Sequence, residues 1–160
     1  MGGNKNMKFF KSKKKESARL YGEFWVHLYG PDGKLKDYRH VKNLTTLVGF
    51  TAVTKQMCDT AAQPDAFHHV AIGYGVVAAA DTDTALGNEL ARVTGVFTSV
   101  SAKVCTVVGT FAAGVGTGAV TESGLLSLAA VGILLCRQVF AVVNKGADDS
   151  MVVTWQYTLS

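Results

Sequence analysis

The chain predicts a mainly β fold, an antiparallel β-sandwich or jelly-roll-like barrel, with one amphipathic helix and an extended basic N-terminal arm. Three features carry this: period-two alternation in several segments, Gly/Pro/Asp clusters between them, and a single stretch whose apolar residues recur every three to four positions. A length of 160 residues fits one domain. Its divisions are a basic arm over residues 1–17 and a single β-rich domain over 18–160.

Residues 20–29 form the first expected strand. Leu20, Gly22, Phe24, Val26 and Leu28 share one face, and Tyr21, Glu23, Trp25, His27 and Tyr29 the other. Gly30-Pro31-Asp32-Gly33 is a turn signal: proline presets the first central position and glycine accepts positive φ. Residues 34–42 should therefore return antiparallel, and His27 and His40 are candidates to face each other across the hairpin. From 44 to 58 the period changes. Leu44, Leu47, Val48, Val53, Met57 and Cys58 mark an amphipathic helix capped by Asn43 or Thr45, with Gly49 and the threonines weakening it. A polar linker over 59–65, holding Pro64, ends that helix.

The stretch over residues 66–92 opens on a buried strand, Val70-Ala71-Ile72, which breaks at Gly73 and Gly75. A loop over 74–83, too rich in Gly and Ala to pack by itself, leads to Asp81, Thr82, Asp83 and Thr84. Each is a good N-cap, so a short helical turn is expected over 85–90. His68 and His69, as strand neighbours, should point to opposite faces and so not share a metal.

Strands follow over 93–100 and 102–112, paired through residues 99–103. Residues 114–118 read G-x-G-x-G, which lacks the spacing of a dinucleotide fingerprint and any phosphate-loop lysine, so a turn or bulge is expected there. Thr121-Glu122-Ser123-Gly124 with Leu125-Leu126 reads as a second turn and edge element. Residues 132–143 read as a buried strand with a bulge near Arg137-Gln138. A charge inside an apolar strand needs a partner, and Glu122 is the nearest acidic candidate for Arg137. After a turn over 144–149, residues 151–159 alternate as a final strand, where the sheet is expected to finish. The count is about seven strands.

Composition bounds function. Hydrophobic residues make up 48% and charged residues only 18%, against about 25% charged in ordinary soluble domains. Part of the surface is therefore expected to be covered by other chains, including further copies of this one. Cys58, Cys105 and Cys136 are far apart and lack C-x-x-C spacing, which suits buried reduced thiols. Six lysines against Glu16 alone give residues 1–16 a charge of +5, so the remainder of this +4 chain sums to −1. The basicity thus belongs to the arm. Lys8, Phe9, Phe10, Lys11, Lys13, Lys14 and Lys15 are the candidate partner-binding residues, with the two phenylalanines as anchors in a groove.

The order of parts resembles a module of tailed-bacteriophage virion proteins, in which a strand ending in IG-x-G is followed by a small-residue loop and DT-x-L-x-x-E-x-x-R. The matching residues are Ala71-Ile72-Gly73-Tyr74-Gly75, Asp83-Thr84-Ala85-Leu86, Glu89 and Arg92. Downstream, Phe111, the glycines of 114–118, TESGLL at 121–126 and residues 134–155 continue it, over roughly two thirds of the chain. The resemblance implies a virion structural protein: a small head decoration or cement protein bridging capsid subunits, or alternatively a tail fibre, baseplate or other tail-associated adsorption protein. Its partners would be the major capsid protein or tail proteins, and its location the virion assembled in the bacterial cytoplasm. Solenoid repeats and stalk heptads are absent from the sequence, which favours a compact decorating domain.

Other classes find less support. No G-x-S-x-G, H-E-x-x-H or paired-carboxylate spacing marks an enzyme, and no cofactor or metal is expected. Nucleic-acid binding rests on the lysine arm alone, without interleaved aromatics on the domain. Glycan adsorption rests on Tyr21, Trp25 and Tyr74. A secretory signal is not expected, since the basic start runs into alternating sequence. Nor is a membrane span: the uncharged run over 104–121 is broken by glycines, and that over 123–136 is shorter than the roughly 20 residues a helix needs.

Overall fold

In the computed structural model, which describes residues 19–159, two five-stranded antiparallel sheets pack face to face with one helix beside them. The strands are β1 (Leu20–Tyr29), β2 (Leu35–Lys42), β3 (Leu44–Thr45), β4 (His69–Gly73), β5 (Glu89–Thr94), β6 (Val96–Ser101), β7 (Val104–Phe111), β8 (Gly118–Leu126), β9 (Leu134–Lys145) and β10 (Ser150–Leu159), and the helix is α1 (Leu47–Cys58). The first sheet runs β2-β1-β10-β7-β6 and the second β3-β9-β8-β4-β5. The expected sandwich-like architecture is thus present, with ten strands among the described residues instead of about seven.

The alternating segments behave as their periodicity requires. Phe24, Val26 and Leu28 of β1 and Met151, Val153, Trp155 and Tyr157 of β10 point into the core between the sheets. Phe24 stacks on Trp155 at 4.4 Å. Val70 and Ile72 of β4 meet them from the opposite sheet. The Gly30–Gly33 turn closes β1 onto β2, with Gly33 at φ 74° donating to the Gly30 carbonyl. Residues 114–118 turn the chain from β7 to β8, with Gly114, Gly116 and Gly118 all at positive φ.

Several elements differ from expectation, each for a non-local reason. α1 begins later, because Leu44 and Thr45 pair with Arg137 and Cys136 of β9. The cap is Thr46, not Asn43 or Thr45, and its hydroxyl accepts from the Gly49 amide at 3.0 Å. The segment over 93–100 is not one strand. It breaks at Gly95, whose amide donates to the His68 carbonyl at 2.6 Å, so β5 stays in the second sheet and β6 crosses to the first. The helical turn over 85–90 does not form, and the chain enters β5 at Glu89.

Thr121 to Leu126 is neither turn nor edge; it lies inside β8, between β9 and β4. Arg137 and Gln138 pair in register with Gly124 and Ser123. The irregularities flank them, one between Leu125 and Leu126 and one between Val120 and Glu122. β10 does not finish its sheet but is the middle strand, hydrogen-bonded to β1 on one side and β7 on the other. Of the cysteines, all free, only Cys136 is fully buried, beside the Tyr157 hydroxyl. Cys105 is partly covered and Cys58 exposed. Burial pushes the Cys136 thiol up to about 12.

Gly49 shows how packing overrides helix propensity. A Cβ at this position would lie 2.8 Å from the Leu135 Cα and closer still to the Leu135 carbonyl oxygen. The glycine is what lets α1 sit against β9. Propensity alone predicts that Gly49→Ala stabilises by up to about 1 kcal/mol. The close backbone approach predicts the opposite sign, a loss of about 1–3 kcal/mol. Chemical denaturation of the variant decides between them, and a gain in stability would show that α1 does not seat at this distance.

Candidate functional site

The outer face of the second sheet carries a buried charge where strand sequence would place apolar residues. Glu122 of β8 is completely buried, and Arg137 of the neighbouring β9 is 3% exposed. Arg137 Nε donates to Glu122 Oε2 at 2.7 Å, Nη1 to Asp83 Oδ2 at 2.7 Å, and Nη2 to the Val77 carbonyl at 3.0 Å. Glu122 also accepts from three backbone amides: Gly75 at 2.8 Å, Gly87 at 3.0 Å and Asn88 at 2.7 Å. Thr121 adds a bond from its hydroxyl to the Gly75 carbonyl. The sequence pairing of Arg137 with Glu122 is therefore present, and Asp83 is a partner that spacing did not reveal.

These bonds fasten the loop between β4 and β5 onto the sheet. Beneath it Leu86 packs with Ala71, Leu126 and Leu134 in a small second core. The loop also meets α1, since the Leu47 amide donates to the Asp81 carbonyl at 2.8 Å. Glycines are required where the loop crosses the carboxylate: a Cβ at Gly75 would fall 2.7 Å from the Glu122 carboxyl carbon. Glu89 and Arg92 complete the arrangement. They pair through two bonds of 2.8 and 2.6 Å, and Arg92 Nη1 reaches the Leu128 and Val131 carbonyls in the loop between β8 and β9. Asp83, Glu89 and Arg92 are thus engaged in holding loop structure.

The electrostatics match this structural use. Burial by itself would raise the Glu122 carboxyl, but the amides of Asn88, Gly87 and Gly75 with the Arg137 guanidinium hold it below its ordinary range. Asp83 is likewise lowered: the Ala80 amide and Arg137 outweigh its desolvation. Burial would lower Arg137, yet the two carboxylates raise it. Each Glu122 oxygen accepts two of these hydrogen bonds.

A second buried ion braces the turn after β9. Lys145 is 2% exposed, and its ammonium donates to the Ala112 carbonyl at 3.0 Å and the Asp149 carbonyl at 2.7 Å. Burial lowers its pKa. The Asp149 carboxylate binds Lys36 at 2.8 and 2.9 Å and the Gly146 amide at 2.8 Å, which lower it. Together these bonds tie the turn after β9 to the turn after β7 and to β2.

The histidines separate into different contacts. His27 does not face His40: its register partner is Tyr38, with ring centres 5.0 Å apart, while His40 stacks on Trp25 at 4.8 Å and bonds Glu23 at 2.7 Å. His68 and His69 do not diverge, because His68 precedes β4 and escapes its alternation; their rings lie 4.3 Å apart. His69 is lowered by burial and by the neighbouring His68 and Arg92. Among the described residues no group of three or more His, Cys, Asp or Glu is placed to hold a metal ion, and no helix is long and apolar enough to cross a membrane.

What the fastened loop does present is apolar surface. Tyr74, Val76 and Val77 are 53%, 75% and 76% exposed, and Leu47 and Phe50 at the start of α1 are also exposed. Of the candidates with exposed rings, Tyr21 and Tyr74 are half exposed and Trp25 is partly covered by His40. Lys8, Phe9, Phe10, Lys11, Lys13, Lys14 and Lys15 lie outside the described residues. Comparison with protein-family models, curated proteins and solved structures finds no match.

Because both carboxyls ionise more readily in the folded chain than unfolded, the network contributes fully above the unfolded carboxylate range of about 3.9–4.3 and is lost as pH falls through the lower folded values. Stability should therefore fall on acidification below about pH 4, with a shallower decline in Glu122→Gln. Arg137→Met, which strands a buried carboxylate, should cost about 3–5 kcal/mol. Denaturation over a pH series measures both. Hydrogen exchange at Gly75, Gly87 and Asn88 should quicken in Arg137→Met before global unfolding, and unchanged protection there would show that the ion pair does not hold the loop.

Proposed function

We propose that this chain is a non-enzymatic structural protein of a tailed-phage virion, acting as a head decoration or cement protein that bridges neighbouring capsid subunits. The observation that carries this reading is the loop over 74–88. The residues through which the chain resembles phage virion modules build a loop that is fastened through Glu122, Asp83 and Arg137 and that exposes the large side chains Tyr74, Val76 and Val77. Such an apolar surface suits attachment to another protein.

The mechanism is binding at many equivalent positions. A single copy contributes a modest contact, and many copies on a symmetric shell sum to resistance against internal pressure. Low charge on the domain allows close approach of neighbouring chains, including other copies of this one. The arm residues Lys8 to Lys15 would add contacts to acidic surface on capsid subunits.

Cryo-electron microscopy of virions at subunit resolution tests this. The expected result is density for the domain at many symmetry-related capsid positions, with residues 74–77 facing a neighbouring subunit. A few copies at the tail would replace head decoration by a tail or baseplate role, and absence from the particle would overturn the virion reading.

A further inference from the structure

Two surface loops of this chain carry runs that are apolar throughout. Val76-Val77-Ala78-Ala79-Ala80, between β4 and β5, and Leu128-Ala129-Ala130-Val131, between β8 and β9, contain no polar side chain, and all but Ala79 are exposed. Exposed apolar runs of this length are unfavourable against water and mark a surface that something covers. The two runs share one face. Arg137 holds the Val77 carbonyl and Arg92 the Leu128 and Val131 carbonyls, both on the outer side of the second sheet, with Ala71, Leu86, Leu126 and Leu134 packed beneath.

Val131 adds an independent sign that this face is used. Its φ is 60°, in the left-handed region that a β-branched residue rarely enters. The loop imposes it: the Ser127 amide donates to the Ile133 carbonyl at 3.1 Å, the Ile133 amide to the Ser127 hydroxyl at 2.9 Å, and Arg92 to the Val131 carbonyl at 2.8 Å. The side chain is nevertheless 87% exposed, so burial among the described residues does not offset the strain.

With Tyr74, the two runs present on the order of 800 Å² of apolar surface, the share that one partner brings to a standard interface. The largest such patch on a typical monomer is about 300–600 Å². The arginines beneath it are already paired, Arg92 with Glu89 and Arg137 with Asp83. Asp81 stands at the margin beside α1, where its carbonyl accepts from the Leu47 amide. A face so neutralised shows no charge for a different partner to complement, and it meets its own copy without like charges opposed. Interfaces between copies of one chain are also the more apolar kind.

We propose that two copies of this chain pack these faces together about a two-fold axis, each burying Val76, Val77, Leu128 and Val131 against the other. The inference rests on the reading of the 74–77 loop as an attachment surface and names a second copy as what it attaches to. Contacts with capsid subunits then fall to other surfaces of the dimer.

Sedimentation equilibrium of the full chain tests this. The expected species is a dimer whose association is weakened about tenfold or more by Val76→Lys with Val131→Lys. Leu35→Lys, at an exposed position of β2 in the other sheet, should leave it unchanged. Val131→Asn separates association from folding, because asparagine tolerates the left-handed conformation: the dimer should weaken several-fold while the denaturation midpoint of the diluted monomer does not fall. A chain that is monomeric at every concentration overturns the inference, as does a dimer indifferent to the substitutions at 76 and 131. A monomer that binds phosphatidylcholine vesicles through these residues overturns it in favour of a lipid surface. Each of these outcomes leaves the virion reading standing, since that is decided separately by microscopy of particles.

Discussion

The ion pair between Glu122 and Arg137 is the constraint on which the second sheet and its loop depend. Two charges taken out of water are costly, and such a pair persists only where every remaining donor and acceptor is engaged. Here the requirement is met by the loop: three amides reach Glu122, and Asp83 and the Val77 carbonyl reach Arg137. The loop in turn has few packing residues of its own beyond Leu86. Buried charge and small-residue loop thus complete each other. Neither is stable in this form alone, which is why glycines at 73, 75 and 87 crowd around one carboxylate.

This arrangement divides the faces of the second sheet. Its inner face is an ordinary apolar layer, with Val70, Ile72 and Leu125 set against Phe111 and Trp155. Its outer face is organised by polarity beneath and apolarity above: the charge is sealed under the loop, and Tyr74, Val76 and Val77 are turned outward. The usual order of a soluble surface is inverted there. A loop tip of Val and Tyr held rigid by a buried charge network loses little conformational freedom on contact with another protein.

Local sequence revealed those parts of the fold whose causes are local. β1 and β10 were legible because each has one face on the core and one outside, β2 because the Gly30–Gly33 turn returns the chain, and β4 because both its faces are covered. The break at Gly95 was not legible. Its reason is the His68 carbonyl and the side chain of Val107, far away in sequence. The helical turn expected over 85–90 failed because the Gly87 and Asn88 amides go to Glu122, and the cap candidate Asp83 is occupied by Ala80 and Arg137. Glu122-Ser123-Gly124 has the composition of a turn, yet Gly124 lies under Leu86 in a central strand. Arg137 announced its need for a partner as a lone charge in an apolar run. Its second carboxylate, on a distant loop, gave no such signal.

The first sheet is closed by the pairing of β1 with β10, in register from Leu20 with Leu159 to Tyr29 with Ser150. The strand that arrives last in the chain therefore occupies the middle of that sheet. The β1–β2 and β6–β7 hairpins can form early, but they remain two separate ribbons until β10 enters between them and supplies hydrogen bonds to both. Closing so long an intervening chain carries a large entropy cost before any of that pairing is gained. The pairing that completes this sheet is therefore highly non-local, and a chain in which β10 has not yet entered leaves the β1 and β7 edges open to other chains.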